Sequence, residues 1–214
     1  MGQIYPRPSV LRQAIVFSVL CLLGFIPPAH TLRAQTNREA LLGKAKENFS
    51  SALNQLVATA QSLSRKGQAL QILSDELIGQ RPDERLGQCL LGEIDVLTLL
   101  LQSNKLIGDQ VAAAQATANG QSGSSRFADI GNNLMTIDDG LEKLQGNLKT
   151  KTATRMACKL RLEQLVDGLI AANPVKTQTY TFIKINLDPS SLDSELQQQR
   201  NIITSAEIPI KMLQ

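Results

Sequence analysis

The chain has 214 residues, of which 43% are hydrophobic and only 3% aromatic, and its formal net charge is +3. That length is enough for one domain with a sizeable core. The basic excess lies entirely in residues 1–34, which contain Arg7, Arg12 and Arg33 and no acidic residue, so residues 35–214 have 22 minus 3, or 19, basic residues against 19 acidic ones. A neutral chain argues against a nucleic-acid-binding protein, because phosphate contacts need an excess of cations on one face.

Residues 1–34 have the layout of a secretory signal peptide. A basic beginning precedes an apolar stretch of 13 residues, 14–26, which is shorter than the ~20 residues of a membrane-spanning helix. We expect cleavage after Ala34, with cleavage after Thr31 or an uncleaved N-terminal anchor as the alternatives. The sequence therefore predicts export to the periplasm or the extracellular space.

The first predicted helix begins at Thr36. The residues from Thr36 to Glu39 have the form of a capping box, in which the hydroxyl and the carboxylate each accept a hydrogen bond from a free backbone N–H. Apolar residues then recur every three or four positions, as on one face of a helix, until Gly79 and Pro82 end the pattern. Asn48 begins an Asn-Phe-Ser glycosylation pattern, which matters only in a eukaryotic source.

A second helix is predicted from Pro82 to about Ala118, because proline suits the first turn of a helix. In its middle, positions 97–101 are apolar apart from Thr98. An apolar run of this kind covers most of the helix circumference, so we expect a central helix that is buried on several sides. A surface for self-association is the alternative.

The loop at 119–126 is rich in Gly and Ser and is predicted to be flexible. The helix after it has three heptads of coiled-coil spacing, formed by Phe127, Ile130, Leu134, Ile137, Leu141, Leu144 and Leu148. The apolar pattern resumes at Cys158 after a shift of phase at residues 150–154. That shift indicates either a kink or a turn that makes four helices instead of three.

Cys89 and Cys158 are predicted to form a disulfide. Their residue numbers lie at equal distances from 123.5, inside the loop at 119–126, so an antiparallel helix pair folded back at that loop places the two thiols opposite each other. Two thiols in an exported chain usually pair, and the alternative is two buried, reduced cysteines. The third cysteine, Cys21, lies in the predicted signal peptide. The sequence has no Cys-x-x-Cys pair of the kind that indicates a redox enzyme.

Residues 174–214 are predicted to change character. Residues 175–187 are rich in Thr, Tyr, Phe and Ile and favour a β-strand, residues 191–200 favour a short capped helix, and residues 201–214 favour an extended segment with Pro209 at a sheet edge. The predicted fold is thus mainly α: an elongated antiparallel bundle of three or four long helices at 35–173, followed by a small C-terminal β element at 174–214.

Residues 35–214 contain no His, which excludes Ser-His and Cys-His nucleophiles, His general bases and His-based zinc sites. No glycine-rich phosphate loop is present, and Asp138 and Asp139 lack the ligand pattern of an EF-hand. The sequence therefore predicts no catalytic residue, no cofactor and no metal site. The basic stretch from Lys149 to Arg161 is interpreted as solvated surface, with docking to an acidic partner or to lipid headgroups as the alternative.

The heptads, the apolar second helix and the missing catalytic residue types together predict a non-catalytic interaction protein, such as a component of a secretion or surface apparatus or a secreted effector. A protein partner or self-association is expected, nucleic acid is not, and no motif supports contact with a membrane. The alternative is a carrier of an apolar small molecule or lipid between the helices. Glycines within the helices leave open either close packing or voids, at Gly87, Gly92, Gly108, Gly131, Gly140 and Gly146.

Overall fold

The protein is described here by a computed structural model. It covers the backbone of residues 29–77, 84–123 and 125–214, with side chains from residue 37 onward in those ranges. The chain divides into two compact units, Met1–Ala40 and Leu41–Gln214. The predicted signal peptide falls mostly on residues outside the described ranges, as do Gly79 and Pro82, so the predictions made for them stay predictions.

Six α-helices and one short 3-10 turn make up the described residues, and no strand occurs among them. The prediction of a mainly α helical bundle is confirmed. The described part of residues 35–173 forms four helices, because the chain breaks at Lys151, and two further helices lie in residues 174–214. The helices are α1 (Ala29–Glu76), α2 (Glu84–Ala118), α3 (Arg126–Thr150), α4 (Thr152–Ala172), α5 (Thr177–Asn186) and α6 (Pro189–Leu213), with the 3-10 turn at Pro174–Lys176.

The start of the first helix is earlier than the sequence pattern indicated. Helix α1 already begins at Ala29, so the predicted start at Thr36 is wrong. A capping box is a local signal, and it begins a helix only where the preceding residues are not themselves helical.

The predicted C-terminal β element is also wrong, because residues 174–214 form α5 and α6. Tyr180 and Ile183 in α5 and Leu187, the residue directly after it, follow each other at steps of three and four and are all buried. Aromatic and β-branched residues favour strands largely through packing, and here the same side chains pack on one helical face. Pro209 lies inside α6, four residues before its end at Leu213, where a proline interrupts the backbone hydrogen bonds only locally.

Helices α2 and α3 form the predicted hairpin. Gly120 ends α2 with a φ of 78°, in the left-handed region that glycine adopts without steric cost. The N–H of Gln121 bonds to the carbonyl of Ala116 at 3.1 Å, and the N–H of Gly120 bonds to that of Thr117 at 3.0 Å. This pair of bonds is the Schellman arrangement that terminates a helix.

The structure contains the predicted disulfide between Cys89 and Cys158. Their Cα atoms are 5.6 Å apart across a sequence separation of 69 residues, which is the usual spacing for a bridge. One turn nearer the loop on each helix, Arg155 Nε donates to Glu93 Oε1 at 2.9 Å. The disulfide and the ion pair therefore agree with a single antiparallel register of the two helices.

The buried apolar residues form two clusters. The larger one joins α1, α2, α3 and α6, and the smaller one joins the end of α1, the start of α2, α4 and α5. On α2 the boundary between them falls between Leu86 and Val96, and on the α3–α4 segment between Leu148 and Leu162. The disulfide lies in both of these intervals, so it joins the two helices where the apolar packing changes from one cluster to the other.

Polar and charged side chains accompany the disulfide at this boundary. Lys66, which falls between the two clusters on α1, is only 6% exposed, and its Nζ lies 3.9 Å from Glu195 Oε1. Burial lowers the pKa of the Lys66 ammonium, and the charge of Glu195 opposes that effect. Ser62 donates to the same carboxylate. A buried polar layer of this kind fixes which residues face each other across the bundle, because a shifted helix leaves charges unpaired.

Candidate functional site

Helix α2 packs against α1, α3 and α6, but it is not buried on every side. One face packs into the bundle, whereas the opposite face leaves several large apolar side chains in contact with solvent. Leu91, Ile94 and Leu101 are 62%, 38% and 41% exposed, and their spacing of three and seven places them along one line of the helix. Leu99 and Leu106, about half exposed, follow a separate line.

The line containing Leu91 and Ile94 borders a groove between α1 and α2, which we call the apolar groove. Its volume is about 440 Å³. The lining residues that the structure describes are all uncharged: Leu70, Leu73, Ser74, Leu77, Gly87, Leu90, Leu91 and Ile94. Burying exposed apolar surface of this kind is favourable by about 25 cal/mol per Å². A contiguous apolar patch on a protein surface typically marks an interaction site.

A second groove lies between α2 and α4, over the disulfide. We call it the basic groove. Its volume is about 570 Å³, and the lining residues that the structure describes combine small or apolar side chains with four cations and one carboxylate. The cations are Arg85, Lys151, Arg155 and Arg161, and the carboxylate is Glu93.

Small residues create the basic groove. Gly92 on α2 and Ala157 on α4 line it beside the bridged cysteines, and a Cβ added at Gly92 meets no atom within 4 Å. Val96 and Leu148, both buried, provide larger apolar surfaces in the same lining. Because the two helices are held by the short disulfide but present few large side chains here, space remains between them.

Arg155 is a fixed part of the groove wall. Its guanidinium binds Glu93 at 2.9 and 3.1 Å, Asp193 at 2.6 Å and the carbonyl of Pro189 at 2.8 Å. Burial works against the charge, but the hydrogen bonds to Glu93 and Asp193 outweigh it and raise the pKa of Arg155 further. This side chain thus links α4 to α2 and α6.

The basic stretch is only partly the solvated surface that the sequence indicated. Lys149 and Lys151 are exposed, as predicted. Arg155 is buried in its ion pairs, and Lys159 binds Asp188 at 2.7 Å. The sequence missed this division because the carboxylates that pair with the two side chains lie on α2 and α6, far away along the chain.

The other predicted features are placed as follows. Asp138 binds the guanidinium of Arg200 at 2.8 and 3.0 Å. Of the glycines within helices, only Gly131 lies against a neighbour, with Gln214 Nε2 at 3.3 Å from the position of an added Cβ. Among the residues that the structure describes, no cluster of three His, Cys, Asp or Glu side chains is arranged to hold a metal ion.

No described helix combines the length and the apolar character needed to cross a bilayer. No protein-family model, curated protein or solved structure matches this chain.

Proposed function

We propose that this chain is an exported, non-catalytic interaction protein that binds a protein partner through the apolar groove. The observation that supports the proposal most directly is the exposure of Leu91 and Ile94 beside a groove whose described lining residues are all uncharged. A groove between two helices suits the apolar face of an amphipathic helix, which inserts side chains spaced by three, four and seven residues. The partner is either a different exported protein or a second copy of this chain.

Export is part of the same proposal. The disulfide between Cys89 and Cys158 supports it, since such bonds persist in oxidising compartments and are rare in the cytosol. The signal-like residues 1–34 supply the corresponding targeting feature. A component of a secretion or surface apparatus and a secreted effector both fit this description.

The experiment compares two double variants of α2. Leu91→Gln with Ile94→Gln removes the apolar edge of the groove, and Leu99→Gln with Leu106→Gln removes similar apolar area on the other line of the same helix. Light scattering over a range of concentrations measures self-association, and immobilised protein tests binding to proteins of the native compartment. We expect the first variant to lose association by at least tenfold and the second to retain it.

Two results contradict the proposal. One is a chain that stays monomeric at high concentration and retains no defined partner. The other is equal association of the two double variants, which shows that the groove is not the contact. Circular dichroism and thermal unfolding of both variants establish that each is folded, as expected for substitutions of exposed residues.

A second candidate function is a carrier of an apolar small molecule, and the basic groove is the observation that favours it. Its volume of about 570 Å³ lies within the 300–1,000 Å³ typical of small-molecule sites. Native mass spectrometry of the protein purified from its own compartment tests this candidate. A stoichiometric bound lipid or other apolar compound supports the carrier, and a mass equal to that of the chain alone contradicts it.

A further inference from the structure

We infer that the basic groove binds a single-chain amphiphile with an anionic head group, with Lys151 as the cation that contacts the head group. This inference rests on the carrier function proposed above and specifies its ligand. The lining offers apolar contacts for the chain of such a molecule and positive charges for its head group. Val96, Leu148 and Ala157 provide apolar contacts, and cations outnumber carboxylates four to one.

The charges in the lining are not equivalent. Glu93, the one carboxylate, is bound on both oxygens by Arg155. Arg155 in turn is committed to Glu93, Asp193 and a backbone carbonyl, so this cluster is already satisfied. Among the described lining residues, the groove therefore presents no carboxylate that lacks a hydrogen-bonded cation.

Lys151 differs from Arg155 in its surroundings. It is exposed, it lies at the break between α3 and α4, and no hydrogen bond or ion pair occupies its ammonium among the described residues. Arg85 and Arg161 add two further positive charges to the lining, and both also make other contacts. An anionic group at the mouth of the groove thus gains a charge-assisted contact to Lys151 while its chain lies on the apolar surface.

The apolar half of the site has its own determinant, Gly92. Because an added Cβ there meets nothing within 4 Å, a larger side chain enters the groove without a clash in the helix. Gly92→Leu therefore occupies the volume that the ligand's chain needs, and it replaces a poor helix former by a good one. Gly146→Leu, at another helical glycine with open space around it, is the matched control.

The test is isothermal titration calorimetry of the oxidised full chain with decanoate and with decanol. We expect decanoate to bind more tightly than decanol. Lys151→Glu should weaken decanoate binding by about fivefold or more, as for loss of an exposed ion pair followed by repulsion. Lys149→Glu makes the same charge change two residues away, outside the lining of the basic groove, and should alter binding by less than about twofold. Gly92→Leu should abolish binding of both ligands, whereas Gly146→Leu should not.

The outcomes separate this inference from the carrier function. Equal binding of decanoate and decanol, abolished by Gly92→Leu and unchanged by Lys151→Glu, overturns the anionic head group but leaves the carrier standing. Failure of both ligands to bind overturns both. Binding to vesicles of phosphatidylglycerol without binding of monomeric decanoate also overturns the inference, because the cations then serve a membrane surface.

Discussion

The disulfide gives the sharpest prediction for stability. Replacing Cys89 by Ala, Cys158 by Ala or both opens a covalent loop defined by a separation of 69 residues. On the chain-entropy model a loop of this length contributes about 4 kcal/mol to the free energy of unfolding, because the bridge restricts the unfolded chain. The Cα separation of 5.6 Å needs no displacement of either helix to form the bond, so we expect most of that contribution to be realised.

The assay is urea unfolding followed by circular dichroism. With a slope of about 2 kcal/mol per molar urea for a domain of this size, a loss of about 4 kcal/mol moves the midpoint down by about 2 M. The two single variants and the double variant should lose nearly the same amount, because the first substitution already breaks the bridge. Reduction of the wild-type protein should reproduce that loss.

Two results would refute this reasoning. A midpoint shift that corresponds to less than about 1 kcal/mol in all three variants means that the bridge does not constrain the unfolded chain as calculated. A loss of stability in the double variant equal to the sum of the losses in the two single variants points to packing of the individual side chains instead. Two alkylatable thiols in the exported, non-reduced protein would contradict the bond itself.

Three further predictions concern the ion pairs and the glycines. Arg155→Met should lower the free energy of unfolding by about 3 kcal/mol in urea titrations, because it leaves two carboxylates without their counter-charge, and a neutral effect would contradict the role assigned to that side chain. Gly140→Ala should raise the free energy of unfolding by about 0.5–1 kcal/mol, and with it the unfolding midpoint, since the added methyl meets no neighbour. Gly131→Ala should gain less stability, because Gln214 must move to make room for the methyl. The hydrogen bond from Lys176 lowers the pKa of Glu76 below its ordinary value of 4.5. The ionised Glu76 therefore stabilises the folded protein above pH 4.5, and this contribution is lost as the pH falls through the lowered pKa. Unfolding midpoints of Glu76→Gln and the wild type should therefore differ at pH 6 and converge at pH 2.

The parts of the fold that follow from local periodicity could be predicted from the sequence. The heptad positions of α3 place Phe127, Ile130 and Leu134 in the larger apolar cluster, as expected from steps of three and four. The disulfide was predictable because two independent constraints coincide: both cysteines are equidistant from one loop, and exported thiols usually pair.

The parts that depend on packing between distant segments could not be predicted. Residues 175–187 contain strand-favouring side chains, but in the fold they form a helix that packs with α4, the end of α1 and the start of α2. Burial of Arg155 depends on Glu93 and Asp193, which lie 62 and 38 residues away along the chain. The two grooves are likewise properties of helix pairs, and a single helix pattern contains no information on the space between them.

Site-specific photo-crosslinking in the native compartment tests the proposed function most directly. A photoreactive amino acid at Leu91, at the edge of the apolar groove, is compared with the same amino acid at Leu99, on the other exposed line of α2. We expect one defined crosslinked product from position 91, either a second copy of the chain or a single other protein, and little from position 99. Crosslinks of equal yield and mixed composition from both positions, or none from either, would contradict it.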